Sequence, residues 1–195
     1  MSGLIRFLKK GVDVSWLPTS GPGTTSGTKT LCSVGIKREK KSGFSKGTID
    51  YLYLPFRPNG INYCESRDMD VISYPFTGCI MATFTQERVR KVCHVSTGDG
   101  QDCKAEWENI KKTASNVMEF KPSDFYVRPH NIALEGIYGL ITPDSKCYAI
   151  TIVRDKDKRF VAGVRECRPI LRDNAGVRGP SDVLSAPLGF PGNFP

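Results

Sequence analysis

Two neighbouring runs of the chain carry the hydrophobic pattern of paired β-strands. The first spans residues 73–84 and the second spans residues 89–96, and both are rich in β-branched and aromatic residues. A short polar break, Thr85-Gln-Glu-Arg88, separates them. This pattern predicts a β-hairpin with a tight loop.

The register of this hairpin decides which side chains can act together. A loop with an even number of residues pairs Phe84 with Val89 and places Cys79 directly opposite His94. Opposed residues share one face, with Cβ atoms about 4.5–5.5 Å apart, so a thiol and an imidazole in these positions can share a proton. An odd loop would instead send His94 to the other face. The even register therefore predicts a nucleophile and its base on one hairpin.

The same register separates the hairpin into two faces of different character. The face of Cys79 and His94 is mixed in polarity and suited to lining a cleft. The opposite face is more apolar and is expected to meet the core; it carries Ile80, Ala82, Phe84, Val89, Cys93 and Val95.

The remaining pattern predicts one long helix among about eight strands. The helix is expected from Cys103 to about Phe120, with Asp102 as its N-cap and with Lys111 and Lys112 facing solvent. Its buried stripe comprises Trp107, Ile110, Ala114, Val117 and Met118. The other predicted strands are 31–36, 48–54, 71–74, 124–128, 136–141, 146–154 and 159–167. Residues 37–43 are predicted to form a basic turn, and Arg57-Pro-Asn-Gly60 another turn.

These elements indicate an α+β fold: a central β-sandwich of mostly antiparallel strands, one long flanking helix and surface loops. Residues 1–30 are expected to be a flexible basic N-terminal segment and linker, with either fraying or docking of the first ten residues preferred to membrane contact. Residues 31–172 are expected to form the folded domain. Residues 173–195 are rich in Gly and Pro and are expected to wrap the surface.

Composition and charge indicate which classes of partner this chain could bind. The 195 residues are 39% hydrophobic and 25% charged, which is typical of a soluble globular protein. The net charge of +8 favours acidic partners, namely a protein surface, anionic lipid or nucleic acid. Nucleic-acid binding is not expected, because the basic cluster 37–46 has only Phe44 as an interleaved aromatic residue. The seven cysteines include no Cys-x-x-Cys pair and are expected to be reduced, in a cytosolic working compartment.

Cys79 and His94 together favour acyl transfer through a thiolate. Gly78 removes a side chain beside the thiol, allowing close approach of a substrate amide and an unusual backbone angle. The alternative is that Cys79 is a small buried residue and His94 an ordinary strand residue. A zinc site from Cys79, Cys93, His94 and Cys103 is disfavoured, because alternation separates Cys93 from His94. His130 follows a proline and is expected to be a surface loop residue.

Two stretches carry a resemblance to a known superfamily. Thr77-Gly-Cys79, followed by a His on the adjacent strand, resembles the active site of the cytotoxic necrotizing factor deamidases. Tyr51-Leu-Tyr-Leu-Pro-Phe56 with Ser73-Tyr-Pro-Phe-Thr-Gly-Cys79 resembles Burkholderia lethal factor in the same superfamily, so that the resemblance spans residues 51–95. It implies a bacterial toxin or effector that hydrolyses the side-chain amide of a glutamine, and a β-sandwich flanked by helices.

The resemblance also implies roles for individual residues. Cys79 is the nucleophile, His94 its base and Ser73 the residue that orients the histidine, while Thr77 and Gly78 complete the motif and support the oxyanion. It implies no cofactor and no metal, a host protein as substrate, a monomer, and secretion or translocation by a bacterium into the host cytosol. The alternatives are a transglutaminase using the same site, and a non-enzymatic binding module using the basic surface.

Overall fold

The computed structural model describes residues 3–19, 31–33, 37–42, 48–66, 68–98 and 101–172. Most of the predicted linker and the whole predicted surface segment 173–195 lie outside these residues. The described strands are β1 (Leu31–Ser33), β2 (Lys37–Ser42), β3 (Thr48–Pro55), β4 (Ile61–Glu65), β5 (Val71–Tyr74), β6 (Ile80–Gln86), β7 (Val89–Val95), β8 (Thr97–Gly98), β9 (Gln101–Asp102), β10 (Ser115–Phe120), β11 (Leu134–Ile141), β12 (Cys147–Asp155), β13 (Lys158–Cys167) and β14 (Ile170–Arg172). The described helices are α1 (Lys104–Thr113) and two 3-10 helices, Leu4–Arg6 and Pro122–Phe125.

The strands form two six-stranded sheets, which confirms the predicted α+β sandwich. The first sheet has the order β1-β4-β7-β6-β10-β14, and the second has the order β13-β12-β11-β5-β3-β2. Neighbours are antiparallel except for β1 with β4 and β3 with β5, which are parallel. A small third ladder joins β8 to β9 at the end of the predicted hairpin.

Three hydrophobic clusters hold the layers together. The inner cluster lies between the two sheets and includes Leu54, Phe76, Cys79, Met81 and Val92. The helix-side cluster joins the outer face of the first sheet to α1, and the N-terminal cluster covers the outer face of the second sheet. Because both sheets are buried on both faces, their strands carry longer apolar runs than a half-exposed sheet would need.

The N-terminal segment docks on the second sheet, which is one of the two alternatives preferred to membrane contact. Leu4, Leu8, Val14 and Leu17 are buried against the second sheet. The Val14 amide donates to the Arg159 carbonyl at 2.7 Å, so the segment also bonds to β13. Its apolar side chains are therefore used to cover a sheet. In the part of the chain that the structure describes, no helix is long and apolar enough to cross a bilayer.

The predicted long helix is half as long as expected. It ends at Thr113, and the stretch that follows forms β10, which pairs with β6. Asn116 has a left-handed φ of 50°, and the pairing shifts register between Ser115 and Met118. The helix starts after Cys103, with no side-chain cap, so Asp102 is not its N-cap. Val117, Met118 and Phe120 are buried as strand residues. The same apolar positions also fit a helical periodicity, which explains the error.

The predicted solvent exposure of Lys111 is also wrong, because Lys111 is buried. Its side chain is 4% exposed, and its ammonium lies 3.1 Å from Glu119 and 2.5 Å from Glu108. Glu119 also accepts a hydrogen bond from the Trp107 indole, so the buried charge is paired and hydrogen-bonded, as burial requires. Lys112 is exposed, as predicted.

Other elements divide between confirmed and corrected predictions. Strands β3, β5, β11, β12 and β13 lie where the pattern placed them. The predicted turn at 37–43 is instead strand β2 over residues 37–42, the last strand in the order of the second sheet. The predicted strand 124–128 is replaced by the 3-10 helix Pro122–Phe125 and irregular chain. Strand β4 was not predicted.

Candidate active site

The predicted hairpin exists as β6 and β7, with a register two residues away from the expected one. Gln86 pairs with Val89, so the loop is Glu87 and Arg88 alone, and both adopt left-handed φ values of 53° and 64°. Met81, and not Cys79, lies directly opposite His94. The error has a plain cause: Glu-Arg carries none of the Asn-Gly or Asp-Gly signal that marks such a turn.

The predicted faces are nevertheless correct within the sandwich, because a shift of two residues preserves the alternation. Val89, which was also predicted to meet the core, is instead 36% exposed beside the turn. Ile80, Ala82, Phe84, Cys93 and Val95 meet α1 in the helix-side cluster. The face of Cys79 and His94 turns towards the second sheet and contributes to the inner cluster. It is therefore the interior of the sandwich and not the open cleft that the mixed pattern indicated. The ladder of β6 with β7 ends at the pair Ile80–Val95; continuing it by one residue would make Cys79 a diagonal neighbour of His94, a relation that places such positions about 7–8 Å apart.

A hydrogen bond across the sandwich joins His94 of the first sheet to Ser73 of the second. The Ser73 hydroxyl lies 2.7 Å from His94 Nδ1 and 2.6 Å from the Leu54 carbonyl oxygen. A carbonyl can only accept, so the arrangement that satisfies all three groups has Ser73 donating to Leu54 and Nδ1–H donating to Ser73. In that tautomer Nε2 carries the free lone pair of a base.

Two phenylalanines fix the plane of the imidazole. Phe76 stacks on it with ring centroids 4.1 Å apart and an interplanar angle of 9°, and Phe56 lies 5.1 Å away. The imidazole is 1% exposed, and this burial lowers the pKa of His94 to about 3. The ring is therefore neutral over the physiological pH range, and its Nε2 has no hydrogen-bond partner among the described residues.

The buried neutral imidazole makes an expected contribution to acid sensitivity. Between pH 6.5 and about 3 the unfolded chain binds a proton at His94 that the folded chain does not bind. The free energy of unfolding should fall with decreasing pH in this window, by up to about 1.4 kcal/mol per pH unit from this group. Urea denaturation at pH 6.5 and pH 4 measures the decline. A His94→Gln variant should decline less, and equal declines would contradict the burial of a neutral ring.

Cys79 lies at a corner of the chain immediately before β6. Two hydrogen bonds hold this corner: the Phe76 amide donates to the Ile137 carbonyl at 3.0 Å, and the Thr97 hydroxyl donates to the Gly78 carbonyl at 2.7 Å. Thr77 is exposed and Gly78 half-buried, so the corner reaches the surface directly above the thiol.

Gly78 provides space but not an unusual backbone. A Cβ built on it meets nothing within 4 Å apart from its chain neighbours, so the space where a Gly78 side chain would stand is open. The φ angle of Gly78 lies outside the left-handed region, so the unusual backbone angle expected there is not found. The close approach of a substrate amide at Gly78 remains a prediction.

The Cys79 thiol is 6% exposed, and its protonation follows from that burial. Burial raises the pKa of Cys79, while hydrogen bonds from Thr97 and from its own amide oppose the rise. With the histidine pKa lowered, the resting pair is a neutral thiol and a neutral imidazole. A thiolate–imidazolium pair is therefore not the resting state, and a reaction at this thiol would have to remove its proton in the attacking step itself.

Gly139 of β11 supports the site from behind, beside Ser73 in the second sheet. A Cβ at this position would lie 2.6 Å from Met81 Sδ, 2.8 Å from Pro122 Cγ and 2.9 Å from Phe76 Cε2. We expect Gly139→Ala to destabilise the protein by about 1–3 kcal/mol, because the added methyl group overpacks the inner cluster.

Urea denaturation measures this effect, with Gly78→Ala as the matched control. The control adds a methyl group in open space and should change the free energy of unfolding by less than about 0.5 kcal/mol. Similar losses in both variants would contradict the packing described around Gly139.

The residues of the zinc alternative do not come together. Cys93 and Cys103 lie in the helix-side cluster, on the other face of the first sheet from His94 and Cys79. Within the described ranges, no group of three or more His, Cys, Asp or Glu side chains is placed to hold a metal ion. His130 is exposed in irregular chain, as predicted.

Several neighbours of the pair were not identified from the sequence. Thr97 holds the corner, and Phe76 holds the ring plane. Asn62 of the unpredicted strand β4 pairs directly with His94. Of these, only Phe76 lies inside the recognised motif, so the pattern offered no signal for the other two.

Comparisons of the chain with protein-family models, with curated proteins and with solved structures return no match.

Proposed function

We propose that this chain is a cysteine hydrolase that converts the side-chain amide of a glutamine in a host protein into glutamate. The observation that carries the proposal is the buried bond between Ser73 and His94, which leaves Nε2 free to act as a base on the face that bears Cys79. The resemblance of Thr77-Gly-Cys79 to the cytotoxic necrotizing factor deamidases supports the choice of reaction. It also supports delivery by a bacterium into the host cytosol.

The reaction begins with attack of Cys79 on the glutamine carboxamide. His94 Nε2 takes the thiol proton as the S–C bond forms, and the Cys79 backbone N–H stabilises the developing oxyanion. His94 then gives the proton to the departing nitrogen as the C–N bond breaks, releasing ammonia. Water activated by the same imidazole hydrolyses the thioester, which yields glutamate and restores the thiol.

The corner Thr77-Gly78 is the proposed route for the substrate. Thr77 is exposed and the space beside Gly78 is open, whereas the thiol lies just beneath the surface. A glutamine side chain is long enough to insert at this point while its backbone stays outside. This geometry favours a flexible side chain over the main-chain peptide bond that a protease would cleave.

Removal of the Ser73 hydroxyl is expected to reduce turnover without unfolding the protein. In Ser73→Ala the tautomer of His94 is no longer held, and kcat should fall about 10–100-fold, as for other residues that orient a functional histidine. Ser73→Thr keeps a hydroxyl and should retain most of the activity. Nitrogen NMR of the imidazole reports the tautomer directly; an unchanged tautomer and unchanged kcat in Ser73→Ala would contradict this role.

Ammonia release and amine incorporation test the proposed function together. Purified protein is incubated with a host-cell extract, with and without a fluorescent primary amine. Ammonia release without incorporation of the amine identifies a deamidase, and incorporation identifies a transglutaminase on the same site. If neither occurs in any host extract tested, the non-enzymatic binding module is the better account of the basic surface.

A further inference from the structure

Three buried polar atoms without hydrogen-bond partners belong to residues on or next to β4 and β7 of the first sheet. They are Nε2 of His94, Oδ1 of Asn62 and the hydroxyl of Ser96, and none of them has a hydrogen-bond partner in the described part of the chain. The three residues are 1%, 3% and 0% exposed, respectively. Buried polar groups are almost always hydrogen-bonded, so three orphans at one place need an explanation.

The register places these groups on the inner face of the first sheet, the face of Cys79. Asn62 pairs with His94 across β4 and β7, so their side chains share the inner face. Ser96 follows His94 by two residues, and alternation puts it on that face as well. Ile80 pairs with Val95, so continuing the ladder by one residue sets Ser96 opposite Cys79. The three groups therefore fall on neighbouring positions of one face, with Ser96 nearest to Cys79 in the ladder and Asn62 one strand further away.

Asn62 and Ser96 offer opposite hydrogen-bonding groups, one an acceptor and the other a possible donor. The Asn62 amide nitrogen donates to the Pro55 carbonyl at 3.0 Å, which fixes the side chain and leaves Oδ1 as an acceptor only. The Ser96 hydroxyl can donate. Its backbone is held by bonds from its amide to the Gly60 carbonyl at 3.1 Å and from the Cys103 amide to its carbonyl at 2.8 Å.

We propose that Asn62 Oδ1 and the Ser96 hydroxyl form a subsite for a primary carboxamide. Asn62 accepts from the amide NH₂ group, and Ser96 donates to the amide oxygen as the second oxyanion donor beside the Cys79 N–H. This inference rests on the proposed function and names its specificity residues. A carboxylate has no N–H to offer Asn62 and brings a negative charge against its oxygen, so the subsite takes up the amide and releases the acid.

Iodoacetamide and iodoacetate test the subsite without the natural substrate. Both alkylate the same thiol, and one carries a carboxamide where the other carries a carboxylate. The ratio of their rates at Cys79, read by peptide mapping at one pH, is independent of how much thiolate is present. The same ratio in the urea-unfolded chain supplies the intrinsic chemical preference. The net charge of +8 attracts the carboxylate reagent, so an amide preference cannot come from overall electrostatics.

We expect the folded protein to prefer iodoacetamide at Cys79 by at least about fivefold over the unfolded chain, the effect of one typical hydrogen bond. Ser96→Ala and Asn62→Ala should each remove most of this preference. Ser96→Ala deletes an unpartnered atom and should leave the melting temperature unchanged or raised, which keeps the test valid if Asn62→Ala folds poorly. Ser66→Ala is the matched control, since Ser66 is also buried but bonds to Arg90 away from the thiol.

The outcomes separate the subsite from the reaction. If the folded protein shows no extra amide preference, or if Ser96→Ala keeps it in full, the subsite is refuted, whereas ammonia release by the wild type would still support the deamidase. If the preference is present and depends on both residues while no extract yields ammonia, the carboxamide subsite stands and the deamidase proposal fails.

Discussion

Cys79→Ser is expected to abolish deamidation, with a fall in turnover of at least about 10³-fold. A serine hydroxyl is far less acidic than a thiol, and burial lowers the pKa of His94 to about 3, so the imidazole is too weak a base to activate it. His94→Ala should lower turnover by about 10²–10⁴-fold, the usual contribution of a general base. Ammonia release under saturating glutamine-bearing protein measures both effects.

The control for this prediction is another buried cysteine on the same hairpin. Cys93 is 0% exposed and lies in the helix-side cluster, on the opposite face from the imidazole. Cys93→Ala should therefore keep its activity while the melting temperatures of all three variants report intact folding. Full activity in folded Cys79→Ser would refute the assignment of the nucleophile.

Trp107→Ala is expected to produce the largest loss of stability, about 3–5 kcal/mol. The indole is 1% exposed, packs edge-on against Phe84 at 5.7 Å between ring centroids, and donates to the buried Glu119. Its removal opens a cavity between α1 and the first sheet and takes a donor from that carboxylate.

Urea denaturation at pH 7 measures the loss, with Tyr126→Ala as the control. Tyr126 is an aromatic residue that is 38% exposed, and its truncation should change the free energy of unfolding by less than about 0.5 kcal/mol. A loss below about 1 kcal/mol in Trp107→Ala would show that α1 does not depend on this contact.

The sandwich and the faces of the hairpin could be predicted because they depend on alternation, which survives small errors of register. The pairing of β6 with β7 could not, because Glu87 and Arg88 adopt left-handed backbone angles that their side chains do not favour. This two-residue turn sets which residues of β6 and β7 lie opposite each other, so an error in the turn became an error in every pair.

The region after Cys103 shows a different limit. Val117, Met118 and Phe120 fit the periodicity of a helix, and only pairing with β6 makes them a strand. Lys111 is a similar case. A lysine on a polar helix face is normally solvated, whereas the buried Lys111 pairs with Glu119 of β10, which lies outside the helix. In both places tertiary contacts outweighed the local pattern.

For the candidate site, the residues of the motif could be identified from the sequence, but the residues around them could not. The resemblance indicated Ser73 as the orienting residue, and the structure brings its hydroxyl to His94 Nδ1 from the opposite sheet. Asn62 could not be identified from the local sequence, because it lies beside His94 only through the pairing of β4 with β7.

Quantitative peptide mapping of a host-cell extract is the most direct test of the Cys79–His94 hydrolase. The extract is treated with wild-type protein or with Cys79→Ser, and each glutamine is examined for conversion to glutamate. The account predicts at least one glutamine converted by the wild type alone, with ammonia released in equal amount. Equal glutamate content after both treatments, in an extract where the wild type remains folded, would contradict it.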